Sequence, residues 1–372
     1  MSQWSSRIAD TIMRQCDEHG YHAVPSERWA YVPGMLLLAV ARVGEHYGNL
    51  EYLNYMKRHI DLFVKEDGSI KGYSLEEYNL DQINEGKNLF YLMGLQEDSR
   101  YEKAARLLAI QLKGHPRTSE GGFWHKKVYP FQMWLDGLYM SSPFLAQYAK
   151  HFGESELFDE VAHQLLYIEQ KTRDAKTGLL YHGWDESKEQ EWSNPLTGQS
   201  MNFWGRAMGW YAMAIVDSIE HFPMDHPKRG TLIGIFQRMC NALRSVQDAE
   251  SGCWYQVLDQ GHRQGNYLEA SASCMFVYAL AKGLRLRYLE KDFAPAPLEG
   301  YKGIIERLVT EDEAGVHLHQ ICFGAGLSLD RNGTYEYYVR EKVGSDHPMG
   351  VAPLLLASIE IERLQDNISR AL

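Results

Sequence analysis

The residues best equipped for chemistry lie in five short stretches. In Tyr129-Pro130-Phe131-Gln132-Met133-Trp134-Leu135-Asp136-Gly137-Leu138-Tyr139-Met140, a single carboxylate, Asp136, sits within a turn of a helix start among large apolar side chains. An acidic residue there stabilises the helix dipole. In apolar surroundings or beside a second carboxylate it can also hold a proton and act as a general acid. Asp81, opening Asp81-Gln82-Ile83-Asn84-Glu85-Gly86, reads either as a helix cap or as that second carboxylate. The glycine-led run Gly121-Gly122-Phe123-Trp124-His125-Lys126-Lys127-Val128-Tyr129 places His125, Lys126, Lys127 and Tyr129 on one loop, and Tyr181-His182-Gly183-Trp184-Asp185 repeats its flavour. In Phe203-Trp204-Gly205-Arg206-Ala207-Met208-Gly209-Trp210, Arg206 and Trp210 fall four apart on one helical face. That spacing suits an Arg packed on Trp, or an Arg that fixes a substrate anion beside an aromatic platform. Glu269 and the pair Asp346-His347 are weaker candidates, read as structural.

Other chemistries find no support. There is no dinucleotide or phosphate-binding loop and no serine-hydrolase elbow. The histidines are too dispersed for a metal site. Cys16, Cys240, Cys253, Cys274 and Cys322 are odd in number and scattered, which fits a reducing compartment.

The elements that must position these residues are helical. Apolar residues recur at i, i+3, i+4 and i+7, as in Tyr101, Ala104, Ala105, Leu108 and Leu112. No long run alternates as a strand should. A weak repeat is marked by glycine turns at Gly68, Gly121, Gly178, Gly252 and Gly315, spaced 53, 57, 74 and 63 residues apart. Each step holds two helices. Outer candidates fall near 5–18, 51–65, 99–113, 155–172, 230–247 and 298–309; inner candidates start near 33, 81, 134, 203, 268 and 347. The inner set is rich in Gly, Ala, Met and aromatics, as helices buried on several sides must be. Twelve helices in six pairs predict an all-α (α/α)6 barrel, a single domain over 1–372, with an open solenoid as the rival. In a closed ring the inner helices run the same way. Their N-termini then share one rim with Tyr31, Asp81, Trp134, Asp136, Arg206, Trp210, Glu269, Asp346 and His347, a setting suited to a sugar or sugar acid.

Composition bounds the partners. The 372 residues carry 38 Lys and Arg against 49 Asp and Glu, a formal charge of −11, which argues against nucleic acid and anionic membranes. Hydrophobic residues make up 45%, ordinary for a globular chain, and 9 Trp, 23 Tyr and 13 Phe leave aromatic surface to spare for ring binding. The start shows no apolar leader and no segment is long enough to span a membrane, so the expectation is cytoplasmic.

Residues 121–125, 129–140 and 203–210, together with Gly178-Leu179-Leu180-Tyr181-His182-Gly183-Trp184-Asp185-Glu186-Ser187, resemble the unsaturated rhamnogalacturonyl hydrolases of glycoside hydrolase family 105 over nearly the whole chain. The resemblance implies an intracellular (α/α)6 enzyme without metal or organic cofactor, monomer or homodimer. Its substrate would be a disaccharide bearing a 4,5-unsaturated galacturonic acid on rhamnose. It implies Asp136 as the catalytic acid and Asp81 as a carboxylate holding sugar or water. Tyr31, His125, Lys126, Lys127, Tyr129, Trp134, His182, Arg206 and Trp210 would line the sugar site. Ala30, where the family pattern has histidine, and Val32, where it has a polar residue, are departures that bear on the first subsite. Rival functions are the related hydrolysis of unsaturated glucuronyl glycosaminoglycan disaccharides, a sugar epimerase or endo-glycanase on the same barrel, and a non-enzymatic helical scaffold.

Overall fold

The computed structural model describes residues 4–19 and 29–370; Cys16, as a side chain, and Arg28, just before the first inner helix, lie outside the described set. Thirteen α-helices occur among the described residues. Six form an inner ring: α2 (Tyr31–Tyr47), α4 (Lys87–Leu95), α6 (Leu135–Phe152), α8 (Gly205–Ile219), α10 (Ala270–Arg285) and α13 (Pro348–Arg370). Each packs on the next, and α13 returns to α2, so the ring closes rather than opening into a solenoid. Six more lie outside it: α1 (Trp4–His19), α3 (Leu50–Ile60), α5 (Ser99–Gly114), α7 (Leu157–Thr172), α9 (Arg229–Ser245) and α11 (Pro295–Leu308). The thirteenth, α12 (Tyr335–Arg340), is a short piece within the last connection. The expected (α/α)6 barrel is the observed fold.

The two rings differ as their sequences do. In α8 every residue is buried, because neighbours flank it on both sides and an outer helix backs it. In α5 only one stripe is buried, Tyr101, Ala104, Ala105, Leu108, Gln111 and Leu112. Asp98 starts α5 by accepting the Arg100 N–H at 3.0 Å. Left-handed Gly48 and Gly153 end α2 and α6.

The repeat read from glycines is real backbone geometry. Gly68, Gly121, Gly178, Gly252 and Gly315 all have positive φ, between 73° and 129°. Each sits in the turn after an outer helix, where the chain doubles back: the Asp174 and Asp248 N–H groups reach the Leu179 and Cys253 carbonyls at 2.8 and 2.9 Å. A Cβ at Gly252 would lie 2.4 Å from the Glu299 carbonyl oxygen. These turns return the chain to the inner-helix N-termini.

Short strands complete that rim. β1 (Gln132–Trp134) pairs antiparallel with β2 (Gly183–Asp185), with Trp134 opposite Gly183. β3 (Val309–Asp312) pairs with β4 (Gly315–Leu318), and β5 (Ile321–Cys322) with β6 (Val343–Gly344). One expectation needs correction. The second inner helix begins at Lys87, not near 81, because two 3-10 turns, Leu80–Gln82 and Asn84–Gly86, occupy the approach. Asp81 is therefore no cap of that helix. Asn79 makes the capping bond, to the Asp81 N–H at 3.0 Å, and the Asp81 carboxylate is left to other partners.

Candidate active site

A pocket of about 310 Å³ opens at the inner-helix N-termini. That is the lower end of the range for small-molecule sites, about 300–1,000 Å³. Larger hollows of about 400, 500 and 640 Å³ lie elsewhere, but the rim pocket is lined by both Asp81 and Asp136 together with an aromatic wall.

Asp136 stands in the first turn of α6, fixed at its base by the Leu135 N–H bonding the His182 carbonyl at 3.0 Å. The β1–β2 pairing creates this proximity, so two turns separated in sequence meet at Asp136. His182 is fully buried behind it. Its Nε2 faces Asp136 Oδ2 at 3.2 Å and its Nδ1 meets the Tyr338 hydroxyl at 2.8 Å. Burial pushes the Asp136 carboxyl up, but the adjacent His182 and, behind it, His125 outweigh that effect and hold it below the ordinary carboxylate range.

The wall is a stack. Trp134 lies 4.5 Å from the His125 ring at 17° and 4.9 Å from Tyr129 at 18°. Burial lowers the His125 imidazole to about 4, against the pull of Asp81, so it is neutral at pH 7. The His125 loop runs beside the Asn79 segment, with the Leu80 N–H on the His125 carbonyl at 3.3 Å. This brings Lys126 Nζ to 2.5 Å from Asp81 Oδ2. Tyr31 enters from the first turn of α2, beside Met140 of α6. Its backbone is set by Glu85, which accepts the Ala30 N–H at 2.9 Å. The expected departure at Ala30 is thus a small side chain on a backbone tied to the second inner-helix approach.

Tyr31, Asp81, His125, Lys126, Tyr129, Trp134 and Asp136 are brought together as lining. Four others are not. His182 supports Asp136 from behind. Lys127 points away, over the Tyr78 ring at 5.6 Å and toward the Glu76 carbonyl at 3.4 Å. Trp210 is buried beneath the site, between Tyr31 at 6.1 Å and Tyr139 at 5.0 Å. The Arg206–Trp210 stack does not form. Arg206 lies over Trp204 instead, at 5.5 Å, and is 1% exposed. Its guanidinium bonds Ser271 Oγ at 2.8 Å and the Cys322 carbonyl, and pairs with Glu269 at 3.7 Å. Spacing of four aligns two residues on one helix face but does not say whether that face meets the pocket or the next helix. Glu269 is structural, as read: it caps α10 at the Ala272 N–H (2.7 Å) and accepts the Cys322 N–H (2.9 Å). Asp346 binds the Leu318 N–H, and His347 stacks on Phe323 at 4.6 Å.

One side of the pocket went unread in the sequence. Ala325, Gly326, Leu327, Ser328 and Arg331 close it from the irregular segment between β5 and α12. Leu327 seals against Trp134 and the fully buried Trp192. The glycine-rich, non-periodic run Gly324-Ala325-Gly326 was the available signal.

Among the described residues no group of three or more His, Cys, Asp or Glu side chains is placed to hold a metal ion, and no helix is long and apolar enough to cross a membrane.

The sequence matches the family model described as Glycosyl Hydrolase Family 88 over residues 4–365. The chain belongs to this glycosidase family. A solved glycoside hydrolase from family 105 of C. acetobutylicum ATCC 824 is 46% identical, with a TM-score of 0.93 over 97% of this chain and 100% of that one. The motif resemblance to family 105 is thereby borne out. A protein of Agrobacterium fabrum is 39% identical over 237 residues, 59% of this chain and 97% of its own. The unsaturated rhamnogalacturonyl hydrolase YesR of Bacillus subtilis is 30% identical over 274 residues, 72% of this chain and 74% of its own. The site described above is therefore the candidate centre of a glycosidase.

Proposed function

We propose that this glycosidase separates a 4,5-unsaturated galacturonic acid residue from rhamnose by hydrating its C4=C5 bond, with Asp136 as acid. The observation that carries the reading is Asp136 itself: a carboxyl lining an aromatic-walled pocket, backed by His182 and sharing the lining with an Asp81 already bound to Lys126. The likeness to YesR supports the choice of sugar.

The C4=C5–O5 unit is an enol ether, so protonation at C4 places the developing charge at C5, shared with the ring oxygen. Water adds at C5, and its proton returns to the Asp136 carboxylate. The hemiketal opens at the C5–O5 bond to give a C5 ketone. The hemiacetal left at C1 then expels rhamnose and becomes an aldehyde. One water is consumed and the acid is regenerated.

The residues divide the work. Trp134 and Tyr129 offer a face for the sugar ring. Asp81, held by Lys126, accepts from a sugar hydroxyl or from the water. Asp136 must be protonated to act, yet His182 favours its ionised form. The bound sugar displaces water and brings its own carboxylate, and both effects raise the Asp136 pKa toward the acid form. Substrate binding thus arms the acid.

The test is Asp136→Asn with the unsaturated rhamnogalacturonan disaccharide, following loss of the conjugated-uronate absorbance. The reading requires a folded variant without turnover, and turnover at the native rate would refute it. Running the unsaturated glucuronyl glycosaminoglycan disaccharide alongside decides between the two substrate classes.

A further inference from the structure

An anionic sugar entering this pocket meets carboxylates at Asp81 and Asp136, so something must offset that field. The cations expected to do so are engaged or elsewhere. Lys126 is 2.5 Å from Asp81, Arg206 is enclosed by Glu269, Ser271 and Cys322, and Lys127 lies outside the lining. Arg331 is different. It lines the pocket, and its guanidinium forms no hydrogen bond or ion pair with any described residue.

The segment that carries Arg331 is anchored. The Ser328 and Arg331 backbones exchange hydrogen bonds at 3.0 and 3.1 Å. The Gly326 N–H bonds the Tyr337 hydroxyl at 2.9 Å, and Asn202 Nδ2 bonds the Gly333 carbonyl at 2.8 Å. Gly326 has a specific use here. A Cβ on it would sit 3.2 Å from Arg331 Nη1 and 3.6 Å from the Trp134 ring. The guanidinium therefore lies along the bare backbone of Gly326, next to the aromatic wall.

We propose that Arg331 receives the carboxylate of the uronate and is the specificity-determining cation of the site. This rests on the uronide reading above. With Arg331, two carboxylates face two cations, Lys126 and Arg331, and the lining is balanced. Without it the lining is net negative and repels the substrate. A guanidinium fork also suits a carboxylate better than a point charge does.

The experiment compares wild type, Arg331→Gln, Arg331→Lys and, as a cation control at the end of α12, Arg340→Gln. Each is measured on the unsaturated galacturonyl-rhamnose disaccharide, on its methyl ester, and on a disaccharide whose second sugar carries an added carboxylate. Arg331→Gln is expected to raise KM for the acid about 10- to 100-fold, the range for one lost charge-assisted pair, with kcat changed less than about threefold. Arg331→Lys recovers part of that loss. On the methyl ester Arg331→Gln matches wild type, and Arg340→Gln matches wild type throughout. Equal losses on acid and ester, or none on either, would overturn the assignment. So would a loss seen only with the added carboxylate, which places the contact on the leaving sugar. Titration with galacturonate and with galactose, read by tryptophan fluorescence, separates this inference from the reaction. A galacturonate preference that Arg331→Gln abolishes supports it even if the enzyme does not consume the disaccharide. No preference in wild type sinks it even if the enzyme does.

Discussion

The buried pair behind the acid makes a demanding prediction. His182 Nδ1 lies 2.8 Å from the Tyr338 hydroxyl, and Nε2 faces Asp136 at 3.2 Å. Burial, with Tyr337 and Asp136 adding to it, holds the Tyr338 phenol far above its ordinary pKa, so it keeps its proton. A phenol donating to Nδ1 fixes the tautomer with its proton on Nε2, toward Asp136. Tyr338→Phe removes that hydroxyl alone. The ring still stacks on Trp204 at 5.9 Å, and the Tyr338 carbonyl still accepts from Gln256 at 3.0 Å. What remains is a buried nitrogen without its partner. That costs about 1–3 kcal/mol. At about 1.4 kcal/mol per decade, the loss expected in kcat is about 5- to 150-fold. A less well-aimed Nε2–H also lowers the Asp136 pKa less. The fall in activity as pH rises through that pKa then moves to higher pH. The assay is initial-rate loss of the unsaturated-uronate absorbance from pH 4 to 9, with urea unfolding alongside. Tyr335→Phe is the control. It loses a hydroxyl that donates to the Arg263 and Gln264 carbonyls at 2.9 and 3.1 Å, and it should lose stability while keeping kcat. A Tyr338→Phe enzyme with kcat within about twofold of wild type and an unmoved pH profile would refute the reasoning.

Other consequences follow from the same geometry. Arg206→Met should leave Glu269 charged, buried and unpaired, lowering unfolding free energy by about 3–5 kcal/mol in urea. A normal unfolding midpoint with raised KM would instead return Arg206 to the substrate. Gly252→Ala places a Cβ 2.4 Å from the Glu299 oxygen at a φ of +73°, and should destabilise by more than about 1 kcal/mol without changing kcat. His317 is clamped at the surface between Asp346 at 2.8 Å and Asp312 at 3.1 Å. The Asp346 bond first, and Asp312 after it, raise its pKa above 6.5 against partial burial. The stabilisation from this clamp is complete below about pH 6.5 and is lost as pH climbs through the raised value. The stability gap between wild type and His317→Gln should close over that interval, and a gap constant with pH would contradict it.

The barrel was legible because its inner helices must be apolar all round and because five glycines had to take positive φ where each outer helix turns back. Much of the pocket was legible too. Asp136, Trp134, Tyr129, His125 and Lys126 are close in sequence, so local strand and loop geometry gathers them. Asp81 joins them through pairing of the Asn79 segment with the His125 loop. What stayed hidden depended on contacts across long separations. Arg206 is captured by a carbonyl 116 residues away, at Cys322, and side-chain type says nothing about backbone acceptors. Tyr338 lies 156 residues from the His182 it orients. Arg331 sits on a segment with no periodicity, where no pattern indicates the direction of a side chain. Lys127 neighbours Lys126 but falls on the outer side of the turn.

The central claim is proton delivery to C4 by Asp136, and product NMR in deuterated water tests it most directly. With the unsaturated rhamnogalacturonan disaccharide, wild type should place one deuterium at C4 in a single configuration, as fast as the double bond disappears and rhamnose is released. Asp136→Asn should give neither deuterium nor rhamnose. Early accumulation of a free uronic acid with its C4=C5 bond intact would show cleavage at the anomeric carbon and contradict the account.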